Sequence, residues 1–176
     1  MKIAVNGIPE SPKEINFSER MDELNRIFGE GKARDFRFPP SLDGSFVCYR
    51  SGKDIFFQGS FEGMVEGNCS RCLKSYSFSI AKNFDFVLTH EPLPAKSKGL
   101  NLEDMGLSFY SGEEINLSPL IQEQVLLALP TRPLCDERCL GICGGCGANL
   151  SSETCLCDSS PGDSRMAFFR NLRLDR

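Results

Sequence analysis

The stretch 76–88, YSFSIAKNFDFVL, decides the fold. Tyr76, Phe78, Ile80, Phe84, Phe86 and Leu88 all fall on even positions, with Lys82 as the one gap, and the odd positions are mostly polar or small. Side chains of a strand alternate between two faces, so this period of two describes one buried and one solvated face of an antiparallel sheet. Working outward, the runs FVCYR (46–50) and IFFQGSF (55–61) flank Ser51-Gly52-Lys53-Asp54, a hairpin signal built on Gly52. Residues 36–90 therefore read as β structure. Residues 1–8 suggest an edge strand stopped by Pro9 and Pro12.

Two helices are expected around this sheet. In 17–31, FSERMDELNRIFGEG, Ser18 reads as an N-cap. Met21, Leu24, Ile27 and Phe28 line one face, and Gly29 is placed to end the helix in a left-handed conformation. In 118–130, SPLIQEQVLLALP, Ser18's counterpart is Ser118 as cap, with Pro119 at the first helical position and Pro130 closing the helix. Val125 to Leu129 are apolar all round, which predicts a buried end. Residues 90–112 carry Pro, Gly and mixed charge and read as a long surface loop. The expected fold class is α+β: an antiparallel sheet, flat or curled toward a barrel, packed with a few helices and followed by a C-terminal cysteine-rich metal-binding segment.

The chain has 176 residues, 40% of them hydrophobic, with 14 Phe and no Trp. That is enough apolar material for a real core. The N-terminus lacks a continuous apolar run of the signal-peptide kind, and no stretch approaches the length of a transmembrane helix. The expected location is the cytoplasm, with no membrane partner and no small-molecule substrate evident. Formal net charge is −4, so contact with nucleic acid would need a local basic patch. Arg165, Arg170, Arg173 and Arg176 in the tail are the one such patch, and a weak RNA- or partner-binding candidate. A solubilising role is the plainer reading of them.

Nine cysteines are many for this length. In a reducing compartment metal binding outweighs disulfides as their reading. CSRCL (69–73) is a first Cys-x-x-Cys pair. CDERCLGICGGCGANLSSETCLC (135–157) supplies Cys135, Cys139, Cys143, Cys146, Cys155 and Cys157. Eight cysteines in four close pairs make two four-thiolate sites, the closed shell that structural zinc prefers. The local set is Cys143, Cys146, Cys155 and Cys157. CGGCG reads as a knuckle whose glycines aim backbone N–H groups at sulfur, with Gly147 at positive φ. The other set is Cys69 and Cys72 with Cys135 and Cys139. Cys155 and Cys157 stand wide for one metal in an extended strand, so either the chain turns there or the two serve different ions. The cofactor expected is zinc, one or two ions each held by four cysteines, with iron as the chemical rival. Cys48, alone on its strand, reads as a buried core thiol, and His90 as a surface residue.

Three sequence features set the alternatives. No Ser-His-Asp set, phosphate-cradling loop or His-Glu-x-x-His helix is present, and a fully cysteine-ligated zinc has no open position for water. The expectation is therefore no catalytic residues and no enzyme. A metal-dependent RNA-processing enzyme would need Glu103, Asp104, Glu113 and Glu114, the dense acidic set, gathered round a hard metal. A redox- or metal-responsive protein would use the Cys-x-x-Cys thiols.

The order of features, CSRCLKSYSF, then INLSPLIQEQVLLALPTRPLCDERCLGICGGCGANL, then a short Cys-x-Cys and a tail, resembles the bacterial DUF177 (YceD) family. That resemblance implies a cytosolic accessory factor for accumulation of 23S rRNA and assembly of the large ribosomal subunit. Its partner would be ribosomal RNA, a large-subunit ribosomal protein or an assembly intermediate. It carries the metal-ligand pattern onto the eight cysteines named above and brings no catalytic residues. The negative charge favours a basic protein over naked RNA. The chain divides on this reading into an α+β core (1–134), a cysteine-rich segment (135–158) and a basic helical tail (159–176).

Overall fold

Three long strands dominate the structure, a computed structural model that describes residues 1–29, 35–90 and 107–157. They follow two shorter strands, β1 (Lys2–Ala4) and β2 (Lys13–Arg20), helix α1 (Asp22–Gly29) and the two-residue β3 (Phe36–Arg37). The long strands are β4 (Ser41–Ser51), β5 (Asp54–Asn68) and β6 (Ser75–Thr89). β7 (Leu107–Phe109), β8 (Glu114–Asn116) and helix α2 (Ser118–Ala128) complete the order. The main sheet runs β2-β4-β5-β6-β7, with β3 also paired to β5, while β1 pairs with β8 in a separate two-stranded ribbon. The main sheet is open rather than a closed barrel.

The even-position rule of β6 holds: Ile80, Phe84 and Leu88 are buried and the odd positions from Ser75 to Asp85 are exposed. Register carries the same alternation across the sheet. Phe57 faces Phe86 and Cys48, and its ring lies 5.0 Å from that of Phe86 and 5.7 Å from that of Phe46. Cys48 is a buried core thiol, and burial pushes its pKa up. The β4–β5 hairpin closes at Ser51↔Asp54 with Gly52 at φ 62°.

Several local expectations need correcting. Phe17 to Arg20 belong to β2, so the first helix starts at Asp22 and Ser18 is an exposed strand residue rather than a cap. The inward side of β2 carries Ile15, Phe17 and Glu19, and the buried Glu19 disguises the alternation. Its carboxylate is paired with the Met1 amine at 3.3 Å. Met21, Leu24 and Phe28 do pack into the core, but Ile27 is exposed. Gly29 is the last helical residue without positive φ. Ser118 makes no cap bond, because its hydroxyl accepts from the Met1 amine instead. Leu129 is extended, as the residue before a proline must be, and Pro130 follows the helix end. α2 buries Ile121 and Val125 but leaves Leu126 and Leu127 exposed, since only one side of it meets the core. Of the loop expected over 90–112, residues 91–106 lie outside the described residues. Leu107–Phe109 is a strand, parallel to β6 rather than antiparallel.

Candidate metal centres

The connection between β5 and β6 places the first pair of cysteines. The ladder ends at Asn68↔Ser75, and Cys69 N–H then donates to the Lys74 carbonyl at 2.9 Å. Cys69, Ser70, Arg71 and Cys72 thus occupy the tip of the longest hairpin. The chain leaving α2 returns to that tip: Ser70 donates its N–H to the Pro133 carbonyl at 2.8 Å and its hydroxyl to the same oxygen at 3.0 Å. Cys135 and Cys139 follow directly.

The four sulfurs converge. Cys69 and Cys139 Sγ lie 3.8 Å apart, Cys72 and Cys135 Sγ 3.6 Å apart, and all four fall within 4.8 Å of one another. Cys69, Cys72 and Cys139 are buried, with Tyr76 and Leu134 packed against them. The second group is Cys143, Cys146, Cys155 and Cys157, also within 4.8 Å of one another. Its separations include 3.9 Å for Cys143–Cys157, 3.7 Å for Cys146–Cys155 and 3.3 Å for Cys143–Cys155. Residues 154–157 are not a strand, so Cys155 and Cys157 reach one group rather than two.

These distances have a chemical meaning. Four thiolates bound tetrahedrally at about 2.3 Å from one ion stand about 3.8 Å apart. A disulfide would draw two sulfurs to about 2.05 Å, and all nine cysteines are free. A polynuclear cluster would interpose its own irons and sulfides and spread the thiolates wider. Both groups therefore fit a single four-coordinate metal ion each.

The two Cys-x-x-Cys turns share one design. In the first, Arg71 N–H points at Cys69 Sγ at 3.5 Å, Leu73 N–H donates to the Cys69 carbonyl at 2.9 Å, and Leu73 sits at φ 60°. In the second, Gly145 N–H points at Cys143 Sγ at 3.4 Å, Gly147 N–H donates to the Cys143 carbonyl at 2.9 Å, and Gly147 sits at φ 77°. The amides that face sulfur belong to residues between and at the cysteines, and the positive φ just after the second cysteine turns the chain out of the knuckle. The electrostatics follow. Burial pushes the Cys69 thiol up, but N–H groups of Cys135, Cys72 and Arg71 outweigh it and bring its pKa to about 6. N–H groups of Cys146 and Gly145 bring Cys143 to about 6. Cys135, by desolvation and by hydrogen bonds with the sulfurs of Cys72, Cys69 and Cys139, is pushed up to about 12. Cys157, by hydrogen bonds with Cys146, Cys155 and Cys143, is likewise pushed up to about 12. Crowded thiols cannot all ionise without a compensating cation, and a divalent ion supplies that compensation.

Sequence reasoning missed Arg71, Tyr76 and Ser151 as supports of these groups. Arg71 Nη1 donates to the carbonyls of Glu137 at 3.0 Å and Cys139 at 2.8 Å. Ser151 Oγ lies 3.9 Å from Cys139 Sγ. Tyr76 was legible only as a member of the buried strand face. Glu113 and Glu114 are exposed, while Glu103, Asp104 and Arg165, Arg170, Arg173 and Arg176 lie outside the described residues. Among the described residues, the two cysteine sets are the groups of three or more Cys, His, Asp or Glu close enough to share an ion. His90 is exposed and stands edge-on to Tyr110 at 5.4 Å. Also among the described residues, no helix is long and apolar enough to cross a membrane.

Comparison with known proteins places the chain in a family. A chloroplastic protein of Arabidopsis thaliana, named large ribosomal RNA subunit accumulation protein YCED homolog 1, is 29% identical over 167 residues. The match covers 80% of this chain and 51% of the relative, so the chain spans about half the length of that protein. No solved structure matches. The family described as large ribosomal RNA subunit accumulation protein YceD matches residues 57–173, from near the start of β5 through both cysteine groups, and the chain belongs to that family.

Proposed function

We propose that this protein is a non-enzymatic, zinc-binding accessory factor that supports accumulation of 23S rRNA and assembly of the large ribosomal subunit. Family membership supports the ribosomal role. The observation that carries the molecular reading is the pair of four-sulfur groups, each matching the spacing of a tetrahedral ion. With every coordination position taken by cysteine, such an ion has none left for water or substrate and serves as a staple. Zinc suits four thiolates without redox chemistry, and thiols of this kind persist in the reducing cytoplasm.

In this reading the first ion fastens the β5–β6 hairpin to the segment after α2, holding the cysteine-rich segment (135–158) on the α+β core (1–134). The scaffold presents a surface to a ribosomal RNA, a large-subunit ribosomal protein or an assembly intermediate. The net charge of −4 supports a basic protein as the direct contact. Native mass spectrometry and elemental analysis of the purified chain are expected to show two zinc ions. Depletion from cells is expected to lower 23S rRNA and large subunits. Unchanged 23S rRNA with normal large subunits would remove the ribosomal role. Iron at equal stoichiometry would remove zinc but keep the scaffold.

A further inference from the structure

The two cysteine groups are not separate modules. Only Leu140, Gly141 and Ile142 lie between Cys139 of the first group and Cys143 of the second. Residues 140–151 form a small ribbon with the second knuckle in it: Ile142 bridges Asn149, Cys143 N–H donates to the Ala148 carbonyl at 2.8 Å, and Leu150 N–H donates to the Gly141 carbonyl at 2.9 Å. The base of this ribbon rests on the first knuckle. Ile142 N–H donates to the Arg71 carbonyl at 3.2 Å. Gly141, at φ 82°, comes so near that a Cβ there would meet the Arg71 carbonyl oxygen at 3.1 Å. Leu140 N–H donates to Ser151 Oγ at 3.0 Å, and that hydroxyl is directed at Cys139 Sγ.

Arg71 thus acts at both sites. Its N–H faces Cys69 Sγ, its guanidinium holds the carbonyls of Glu137 and Cys139, and its own carbonyl receives the ribbon of the second site. Building the second site orders Leu140 to Ser151, and the ordered Ser151 hydroxyl and Arg71 then fix Cys139. Building the first site orders Arg71 and Cys139, which are the platform for the ribbon. Each ion finds part of its ordering cost already met by the other.

We infer that Arg71 and Ser151 are positioning residues that couple the two metal centres, so that filling either raises the affinity of the other by one common factor. Reciprocity of that factor is required by thermodynamic linkage. The inference rests on the metal-binding reading above and goes beyond it, because two sites on one chain need not communicate.

Cobalt(II) titration of the full chain tests it, since thiolate-to-cobalt and d–d absorption report ligation directly. Cys146→Ser/Cys157→Ser leaves the first site alone, and Cys72→Ser/Cys135→Ser leaves the second. The product of the two association constants of the parent chain, divided by the product of the single-site constants, is the coupling factor. It is expected to lie between roughly 5 and 100. Ser151→Ala, which keeps all eight sulfurs and removes the hydroxyl that joins Leu140 N–H to Cys139 Sγ, is expected to bring it down toward one. Arg71→Ala, which keeps the backbone carbonyl that receives Ile142 N–H and loses only the guanidinium contacts to Glu137 and Cys139, is expected to lower it in part. Should a double Cys→Ser chain fail to fold, the parent and Ser151→Ala chains still decide. The parent is expected to fill its two sites cooperatively, and Ser151→Ala to fill them independently. Two cobalt ions bound with a factor of one, or identical stepwise filling in the parent and Ser151→Ala chains, would overturn the coupling and leave the metal reading standing. No cobalt uptake by any chain would overturn both.

Discussion

Leu73 and Gly147 occupy the same place in two like turns, and the difference between them is a measurable strain. A left-handed conformation costs an L-residue about 1–2 kcal/mol, while glycine enters it freely. Leu73 is 65% exposed, so little packing offsets that cost. Leu73→Gly is expected to stabilise the chain by about 0.5–1 kcal/mol, read as a rise in Tm of roughly 2 °C. A fall in Tm would show that the leucine contacts matter more than the backbone. At the second site the sensitive position is Gly145, where a Cβ would lie 3.1 Å from Cys157 Sγ. Gly145→Ala is expected to weaken metal at that site several-fold and leave the first site alone, as single-site cobalt titrations would show. The cysteines and their four close pairs were readable from spacing alone, while the spacing left open whether Cys155 and Cys157 serve one ion. Arg71 and Ser151 were not, because a guanidinium reaching a carbonyl 68 residues away leaves no local pattern.

The elements divide by how clearly their sequence alternates. β6 was legible because its inward positions are nearly all apolar. β2 was hidden, because Glu19 occupies an inward position and Ser18 resembles a helix cap. The structure predicts that Ser18→Ala changes stability by less than about 0.5 kcal/mol, where loss of a true cap would cost about 1 kcal/mol. A denaturant midpoint settles which. Within the sheet, Phe57 stacks on Phe86 and packs against Phe46 with 1% of its surface exposed. Phe57→Ala is expected to cost about 3–5 kcal/mol in urea unfolding, and a loss below about 1 kcal/mol would contradict this packing. α2 shows the opposite failure. An all-apolar stretch looked buried throughout, yet a helix lying on a core hides only the side that touches it.

For the molecule as a whole, metal is expected to act as a stabilising ligand of the native state. Each ion at a hundred times its Kd contributes about 2.7 kcal/mol. Stripping metal with a chelator is therefore expected to lower Tm, with far-UV circular dichroism at low temperature little changed because the sheet has its own core. An equal Tm with and without chelator would refute the staple. Protons compete for thiolates, so metal affinity is expected to fall as pH falls. What the sequence by itself determined is the period-two face of the sheet, the existence of a helix within 118–130, the eight candidate ligands and the family resemblance. All of these are local patterns or short spacings along the chain. The tertiary structure brings Cys69 and Cys72 to Cys135 and Cys139, as the spacing suggested, and it alone decided that Cys155 and Cys157 reach one group and that Arg71 touches both sites. Those depend on where the longest hairpin ends and where α2 returns the chain. Such meetings are set by the packing of the core between them, and no local run of residues records it.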